Sequence, residues 1–390
     1  MPRLTLGVNS RLSKDYKFTN MYAPKFTITN SILKNVGLVE AAREVIINAP
    51  IVPSYEKKFR EEAIARQVHY GTHLEGNDLL YPEAIKVVAE MSARNITSAN
   101  QVIGVVGQEK DIQEVVNYRR VMDYISQLYS QNNSEFIYTE AILNQIHLVS
   151  VDKLVSPEHA GRYRVEQVTV RNTQTGEIFF RPPPAVEVPF LVKDVIDWLN
   201  SAPNRELHPV LRAGIIHYDL AAIHPYVEAN GRTARAFATL VLLVEGYDIK
   251  RLFALEEYFD RQAAEYYGAI ASVSNQSSDL LERDLTPWLD FFTKALAVEL
   301  SRVKEKVRTL SVDSRLVRHL GGRQIELSER QLKLMEYIQS QREITMATAK
   351  NILSMVSEDT ILRDLKDLAN KGVISKHGVT KAAKYVLSAS

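Results

Sequence analysis

Apolar positions recur at intervals of three and four along most of the chain, and alternating β-type runs are rare. Residues 55–70 set the pattern. Phe59, Ala63 and Val68 follow one side and charges the other, which predicts an amphipathic helix ending near Gly71. The same reasoning predicts helices over 82–94, 112–130, 139–149, 186–200, 208–222, 231–245, 255–272 and 285–307. One stretch departs from the period. Residues 164–180 are rich in β-branched and aromatic side chains around an Asn-Thr-Gln-Thr-Gly turn, which predicts a β-hairpin. It stops at Pro182-Pro183-Pro184, which extends neither a helix nor a central strand.

The last 65 or so residues read as a separate unit. A charged segment, 301–317, predicts a connecting helix, and Gly321-Gly322 marks a join. Three short helical patterns follow at 328–340, 346–353 and 357–371, then two β runs at 373–375 and 384–387 flanking a turn at His377-Gly378. Three helices and a β-wing outline a winged helix-turn-helix. There is no internal repeat and no low-complexity tract. The expected fold is mainly α with a β-hairpin, plus this C-terminal module.

Composition narrows the function classes. The 390 residues carry 48 Lys+Arg against 47 Asp+Glu, so no overall charge grips nucleic acid, although a local basic face is compatible with it. Hydrophobic residues at 45% suffice for real cores. The absence of cysteine excludes disulfides, a thiol nucleophile and Cys metal sites, and suits a reducing compartment. The N-terminus shows no apolar h-region, and the run around 240–244 is far too short to span a bilayer. A soluble, cytoplasmic protein is expected.

Candidate chemistry concentrates at 224–235, His-Pro-Tyr-Val-Glu-Ala-Asn-Gly-Arg-Thr-Ala-Arg, between two predicted helices. Pro225 biases His224 away from the right-handed helical region. The polar loop leads into a helix start, where backbone N–H groups favour an anion. Arg232 and Arg235, three apart, can both present guanidinium forks to phosphate oxygens. Glu228 is an oxygen ligand of the type Mg²⁺ uses on nucleotide phosphates, and His224 is a base whose ordinary titration lies near neutrality. These residues describe a nucleotide-phosphate site with a general base beside it. There is no P-loop, no Gly-x-Gly-x-x-Gly and no serine elbow. His147, His159, His208 and His217 read as structural or supporting groups.

This segment resembles the Fic-domain signature, His-Pro-Phe-x-[Asp/Glu]-Gly-Asn-Gly-Arg-x-x-Arg. His224, Pro225, Glu228, Asn230, Gly231, Arg232 and Arg235 match it, and Tyr226 replaces Phe. Ala229 stands where Gly is usual. If that position needs a positive φ, Ala costs about 1 kcal/mol or more, and otherwise its methyl crowds the phosphate. Ala also stands there in the Doc-type branch, which transfers a terminal phosphate. That branch has Lys in place of Gly231, so the match favours nucleotidyl transfer. His159-Ala-Gly-Arg-Tyr-Arg-Val165, the hairpin and Pro182 to Pro189 resemble the family's flap region, and Trp198 and Trp288 fit further landmarks. The likeness spans about residues 60–300. The expected division is an N-terminal helical region (1–115), a Fic core (116–300), a helical linker (301–323) and a winged-helix domain (324–390).

The resemblance implies transfer of AMP from ATP to a Ser, Thr or Tyr hydroxyl of a target protein, with self-modification included. It makes His224 the base, Glu228 the Mg²⁺ ligand, and Ala229, Asn230, Gly231, Arg232, Thr233, Ala234 and Arg235 the phosphate-binding run. It makes Val168, Thr169, Val170 and Arg171 the flap that covers nucleotide and target, and Tyr266 and Tyr267 residues on the nucleoside side. Thr72 to Asn77 resembles the family's inhibitory motif, [Ser/Thr]-x-x-x-Glu-[Gly/Asn], with Gly71 in the usual Ser/Thr slot. Glu75 would then reach Arg235 and take the γ-phosphate's place. The other reading is a plain helix end capped by Gly76. The tail, with 11 Lys+Arg and 8 Asp+Glu over 321–390, is either a DNA reader or a docking and homodimerisation module, and the acids of its third helix count against DNA. Two other functions stay open: a nucleotide-sensing DNA-binding regulator, and removal of AMP from a modified target.

Overall fold

The computed structural model describes residues 22–49, 51, 53–131, 136–171, 178–247, 249–310, 327–378 and 383–388. The N-terminal stretch expected to carry no apolar h-region, the hairpin turn at 172–176, residues 311–317 and Gly321-Gly322 lie outside these, as does the Arg171 side chain.

The N-terminal core is built on α7 (Pro209–Ile223) and α8 (Asn230–Val244), which pack side by side. Every residue of α7 from Val210 to Ile223 is buried, as expected of a helix that is apolar on all sides. Its polar members find partners: Arg212 pairs with Glu245 at 2.6 Å, and Asp219 accepts from the Tyr22 hydroxyl. Gly214 lets α11 (Thr286–Leu310) approach; a side chain there would meet Leu289 and Phe292, and the Trp288 indole donates to the Gly214 carbonyl at 2.7 Å. Around this centre stand α2 (Pro53–His73), α3 (Tyr81–Ala93), α4 (Glu109–Gln131), α5 (Glu140–Ser150) and α6 (Val188–Asn200).

Four points of the sequence reading need correction. The pattern overlooks α1 (Asn30–Asn48), whose buried Ile32, Val39, Ala42 and Ile46 form a thin stripe, too sparse to read as a period. It packs along α11, tied by Asn35 to Thr293 at 3.2 Å. The single helix expected over 255–272 is α9 (Leu255–Arg261) and α10 (Ala263–Ser274), broken at Gln262. On a straight helix, side chains seven apart are separated by about 10 Å along the axis; the bend brings the Phe259 and Tyr266 rings to 4.8 Å. The hairpin is shorter than expected: β1 (Val170–Arg171) pairs with β2 (Ile178–Phe180), and 164–169 join no strand because Arg164 is bonded elsewhere. The predicted helices at 285–307 and 301–317 are one helix as far as Leu310.

A second apolar cluster, Leu334, Ile338, Ile361, Leu365, Val373 and Tyr385 among its members, belongs to the C-terminal unit. Helices α12 (Glu329–Gln341), α13 (Met346–Ile352) and α14 (Glu358–Asn370) surround it, with a sheet ordered β3 (Glu343–Thr345), β5 (Lys384–Leu387), β4 (Ile374–His377). The wing forms where expected, but its first strand runs on through His377, which pairs with Lys384 and does not belong to the turn; β3 is additional. Asp364 is engaged by Arg330 at 2.7 Å and Asp367 by Gln331 and Lys371 at 2.7 Å each, so these acids brace the module, while Glu358, Asp359, Arg363 and Lys366 are exposed. Among the described residues no helix is long and apolar enough to cross a membrane.

Candidate active site

The loop 224–229 turns the chain from α7 into α8. His224 ends α7 in the left-handed region (φ 52°, ψ 62°), so it does avoid the right-handed helical region, but not by going extended. Ala229 precedes α8 in the same region (φ 55°, ψ 25°). The position therefore requires a positive φ, and alanine pays for it with about 1 kcal/mol of strain. Asn230 closes the loop: its Oδ1 accepts from the Tyr226 N–H at 2.8 Å and its Nδ2 donates to the Tyr226 carbonyl at 2.9 Å. Its amide is thus engaged by the loop and not turned toward an anion. Tyr226 is buried, bonded to Asn144 and stacked on His147 with centroids 3.7 Å apart. His147 Nδ1 accepts from the Gly161 N–H at 2.9 Å, so its Nε2–H donates to the Glu228 carbonyl at 3.2 Å. Burial lowers this ring to about 4, in keeping with that neutral form.

The His224 Nδ1–H donates to the Ala221 carbonyl at 3.2 Å, which leaves Nε2 as the free acceptor. Burial is the main cause that lowers His224 to about 4, with Arg164 adding to it and the Ala221 bond and Glu75 opposing it. At neutral pH the ring is an unprotonated base.

Beside it lies a cradle for negative charge. Arg232 and Arg235 are almost fully buried on the first turn of α8. The Glu75 carboxylate, from the turn after α2, sits between them: Arg232 Nε donates at 2.8 Å and Arg235 Nη2 at 2.8 Å. Burial pushes Glu75 up, but the two guanidinium groups outweigh it and hold the carboxyl below its ordinary range. Gly231 lies directly beneath; a side chain there would collide with this carboxylate and come within 2.9 Å of Arg235 Nη1. Arg232 Nη1, Arg235 Nε and Thr233 Oγ1 are buried without partners. Orphaned donors at a helix start suit phosphate oxygens.

The other expected residues fall less uniformly. Ala234 is packed in the core. Tyr266 is buried, bonded to His217 at 3.0 Å and part of the Trp288 cluster, so it serves packing. Tyr267 is half-buried, donates to the Leu74 carbonyl at 2.8 Å and stacks on Phe179. Val168 and Thr169 are half-buried on the approach to β1 and Val170 is half-buried within it, whereas it is β2 that reaches the site: the Phe180 ring stands 6.4 Å from that of His224. Glu228 is exposed at the loop. Among the described residues no three His, Asp or Glu groups form a metal cluster. One carboxylate fits Mg²⁺, which is commonly held by one or two carboxylates together with substrate phosphates.

Sequence reasoning missed the supports of Glu75. Gly71 fills its slot for steric reasons, since a side chain would run into the Tyr118 ring, and its carbonyl accepts from Arg235 at 2.8 Å. Gly76 has φ 92° and ends the turn, so the capping reading and the arginine-reaching reading hold together. Asn77 pins the segment to α4 through the Asp111 carbonyl at 3.0 Å and Glu114 at 2.8 Å.

The model of the Fic/DOC family matches residues 137–242, and that of the DeoR-like helix-turn-helix domain matches 330–383. The protein adenylyltransferase fic-1 of Caenorhabditis elegans is 31% identical over 155 residues, 40% of this chain and 27% of that protein. The protein adenylyltransferase Fic of Culex quinquefasciatus is 24% identical over 261 residues, 66% of this chain and 48% of that one. In both cases the match spans less than half of the relative's length. Among solved structures, a Fic family protein from Desulfovibrio desulfuricans G20 superposes with TM-score 0.59 at 22% identity, covering 95% of this chain and 99% of that chain. A Fic domain containing signaling protein from Bacteroides thetaiotaomicron VPI-5482 does so with TM-score 0.55 at 19% identity, over 72% of this chain and 98% of that one. At these identities the structures show a shared fold. The chain thus carries a Fic/DOC-family domain and, C-terminal to it, a DeoR-like helix-turn-helix domain.

Proposed function

We propose that the Fic-type domain transfers AMP from ATP to a Ser, Thr or Tyr hydroxyl of a protein, and that Glu75 holds this activity in check. The observation that carries the reading is the Glu75 carboxylate spanning Arg232 and Arg235 above Gly231, next to a neutral imidazole. A site that keeps its own anion between two buried arginines is built for an anionic substrate. His224 Nε2 takes the hydroxyl proton as that oxygen attacks the α-phosphorus; the bond to the bridging oxygen breaks and pyrophosphate leaves. General base catalysis of this kind contributes roughly 10²–10⁴-fold. The N–H groups of 229–232 and both arginines stabilise charge on the phosphates. Glu228 would hold Mg²⁺, which when bound neutralises phosphate charge. While Glu75 occupies Arg235, the γ-phosphate lacks its seat.

The target, docked as an added strand beside β1, would be recognised largely through main-chain bonds. The C-terminal unit is proposed to contact DNA through the Arg363 and Lys366 face of α14, because two of the acids that argue against DNA are engaged within the module.

The test compares α-³²P-ATP with γ-³²P-ATP on the Glu75→Gly form, with self-labelling as readout. Label from the α position alone, lost in His224→Ala, is the expected result. Label from the γ position would replace AMP transfer with terminal phosphate transfer, and no label from either would remove the reading.

A further inference from the structure

Arg164 is 2% exposed, and among the described residues no carboxylate stands within ion-pair distance of it. Its guanidinium faces backbone carbonyls instead. Nε donates to His224 at 2.8 Å, Nη1 to Glu166 at 3.0 Å, and Nη2 to Pro183 at 2.6 Å and Ile223 at 3.4 Å. Its own N–H donates to the Pro225 carbonyl at 2.9 Å. One side chain therefore ties the flap base, the triple-proline exit and both peptide groups around His224.

A buried charge without a counter-ion is costly, and packing alone would be served by an apolar side chain of similar length. The compensation lies at His224. A histidine in the left-handed region is strained, and such conformations persist where surrounding bonds over-determine them. Here the restraints converge from both sides: the Leu220 carbonyl accepts the His224 N–H at 3.1 Å, the Ala221 carbonyl accepts Nδ1–H, and Arg164 grips the His224 carbonyl.

We propose that Arg164 is the positioning residue of the His224 imidazole, fixing the left-handed turn that aims Nε2 and placing a permanent positive charge beside the ring. The inference rests on the AMP-transfer reading above. The groups that face the ring are Arg164 from the flap base, Glu75 from the turn after α2, the Ala221 carbonyl from α7 and the Phe180 ring from β2. Of the two charged groups, Arg164 opposes protonation and Glu75 favours it. A positioning role therefore differs from a merely structural brace in two measurable ways. It separates turnover from nucleotide binding, because the cradle of Arg232 and Arg235 is untouched. It also shifts the imidazole titration according to charge and not according to stability.

The experiment uses the full chain with Glu75→Gly and adds Arg164→Lys or Arg164→Gln. Self-labelling from α-³²P-ATP is measured against ATP concentration, and His224 ring signals, assigned by their loss in His224→Ala, are titrated by NMR. For both variants the labelling rate at saturating ATP should fall roughly tenfold or more, since small misplacement of a reacting group costs up to about 10²-fold, while half-saturating ATP stays within about twofold. The His224 midpoint should rise in Arg164→Gln and stay near its parent value in Arg164→Lys. Parent-like rates, or rates that fall only with the folded fraction while the midpoint stays put in Arg164→Gln, would overturn the proposal. If Arg164→Gln does not fold, the rate split in Arg164→Lys decides. If the Glu75→Gly parent transfers no AMP, the activity reading fails by itself, and the His224 midpoint still decides the role of Arg164.

Discussion

Removing the Glu75 carboxylate tests the brake and the anion cradle together. Glu75→Gly deletes two charge-assisted hydrogen bonds of 2.8 Å, one to each arginine. Bonds to charged groups contribute about 1.5–3 kcal/mol each, so the gross term is about 3–6 kcal/mol. Desolvation of the carboxylate offsets part of this, because burial is the largest influence on Glu75 and opposes its ionised form. A net latch near 3 kcal/mol corresponds to about 10²-fold in the population of the open site. The variant should therefore self-label from α-³²P-ATP about 10²-fold faster than the parent. The same change leaves Arg235 buried with a lost partner, a situation that typically costs 3–5 kcal/mol when a buried pair is broken. The faster form should accordingly have the lower melting temperature, and ATP should raise that temperature more in the variant than in the parent, since the triphosphate replaces the missing anion. Glu75→Ala controls for the added backbone freedom of glycine. Equal labelling rates in parent and variant would refute the brake, and a variant as stable as the parent would refute the anion account of it.

Three further outcomes follow from particular contacts. Gly71→Ser restores the residue usual in the inhibitory motif, yet should weaken the brake, because its side chain would meet the Tyr118 ring; we expect a loss of about 1–3 kcal/mol in urea unfolding together with faster labelling, and unchanged stability would contradict this. Asp219, buried against Tyr22, is raised to about 7 chiefly by burial, so the native state binds a proton that the unfolded state releases from about pH 4 upward. Stability from this group is present at low pH and is lost as pH rises toward 7, by up to about 4 kcal/mol. Asp219→Asn should remove that slope, and a stability difference between parent and variant that is the same at pH 4.5 and 7.5 would refute it. Duplex DNA should bind the full chain with an affinity that falls steeply with added salt and drops in Arg363→Ala/Lys366→Ala; no anisotropy change at low salt would discard the DNA role.

How far the sequence could be read follows from where each interaction partner lies in the chain. The base, the loop and both arginines sit within twelve consecutive residues, because α7 and α8 are neighbours joined by a short turn, so the chemistry of the cradle was visible as a motif. The C-terminal module was legible for the same reason: its three short helical patterns and its wing are local features. Glu75 was identifiable only through resemblance, since nothing in its own surroundings announces arginines some 160 residues away. The supports of that contact were out of reach. The tight fit of Gly71 under Tyr118 and the four carbonyls converging on Arg164 exist only once distant segments meet.

The misreadings have one physical origin. Helix α1 and the break at Gln262 are settled by tertiary packing and not by local preference: α1 is held along α11, and α9 and α10 bend with no Pro or Gly at the break to accommodate the Trp288 cluster. The hairpin was read too long because 164–169 has strand composition, but Arg164 directs its bonds to the His224 and Pro183 carbonyls, and a segment committed there does not pair as a strand. Ala229 carries the same logic into the site. A residue with a Cβ accepts a left-handed conformation beside the cradle because Asn230 clamps the loop on one side and the Thr233 N–H bonds the Ala229 carbonyl at 3.0 Å on the other. Strain at His224 and Ala229, the two ends of one loop, is thus offset by bonds from outside it, and the positions where local rules fail are those that hold the imidazole and the anion seat in register.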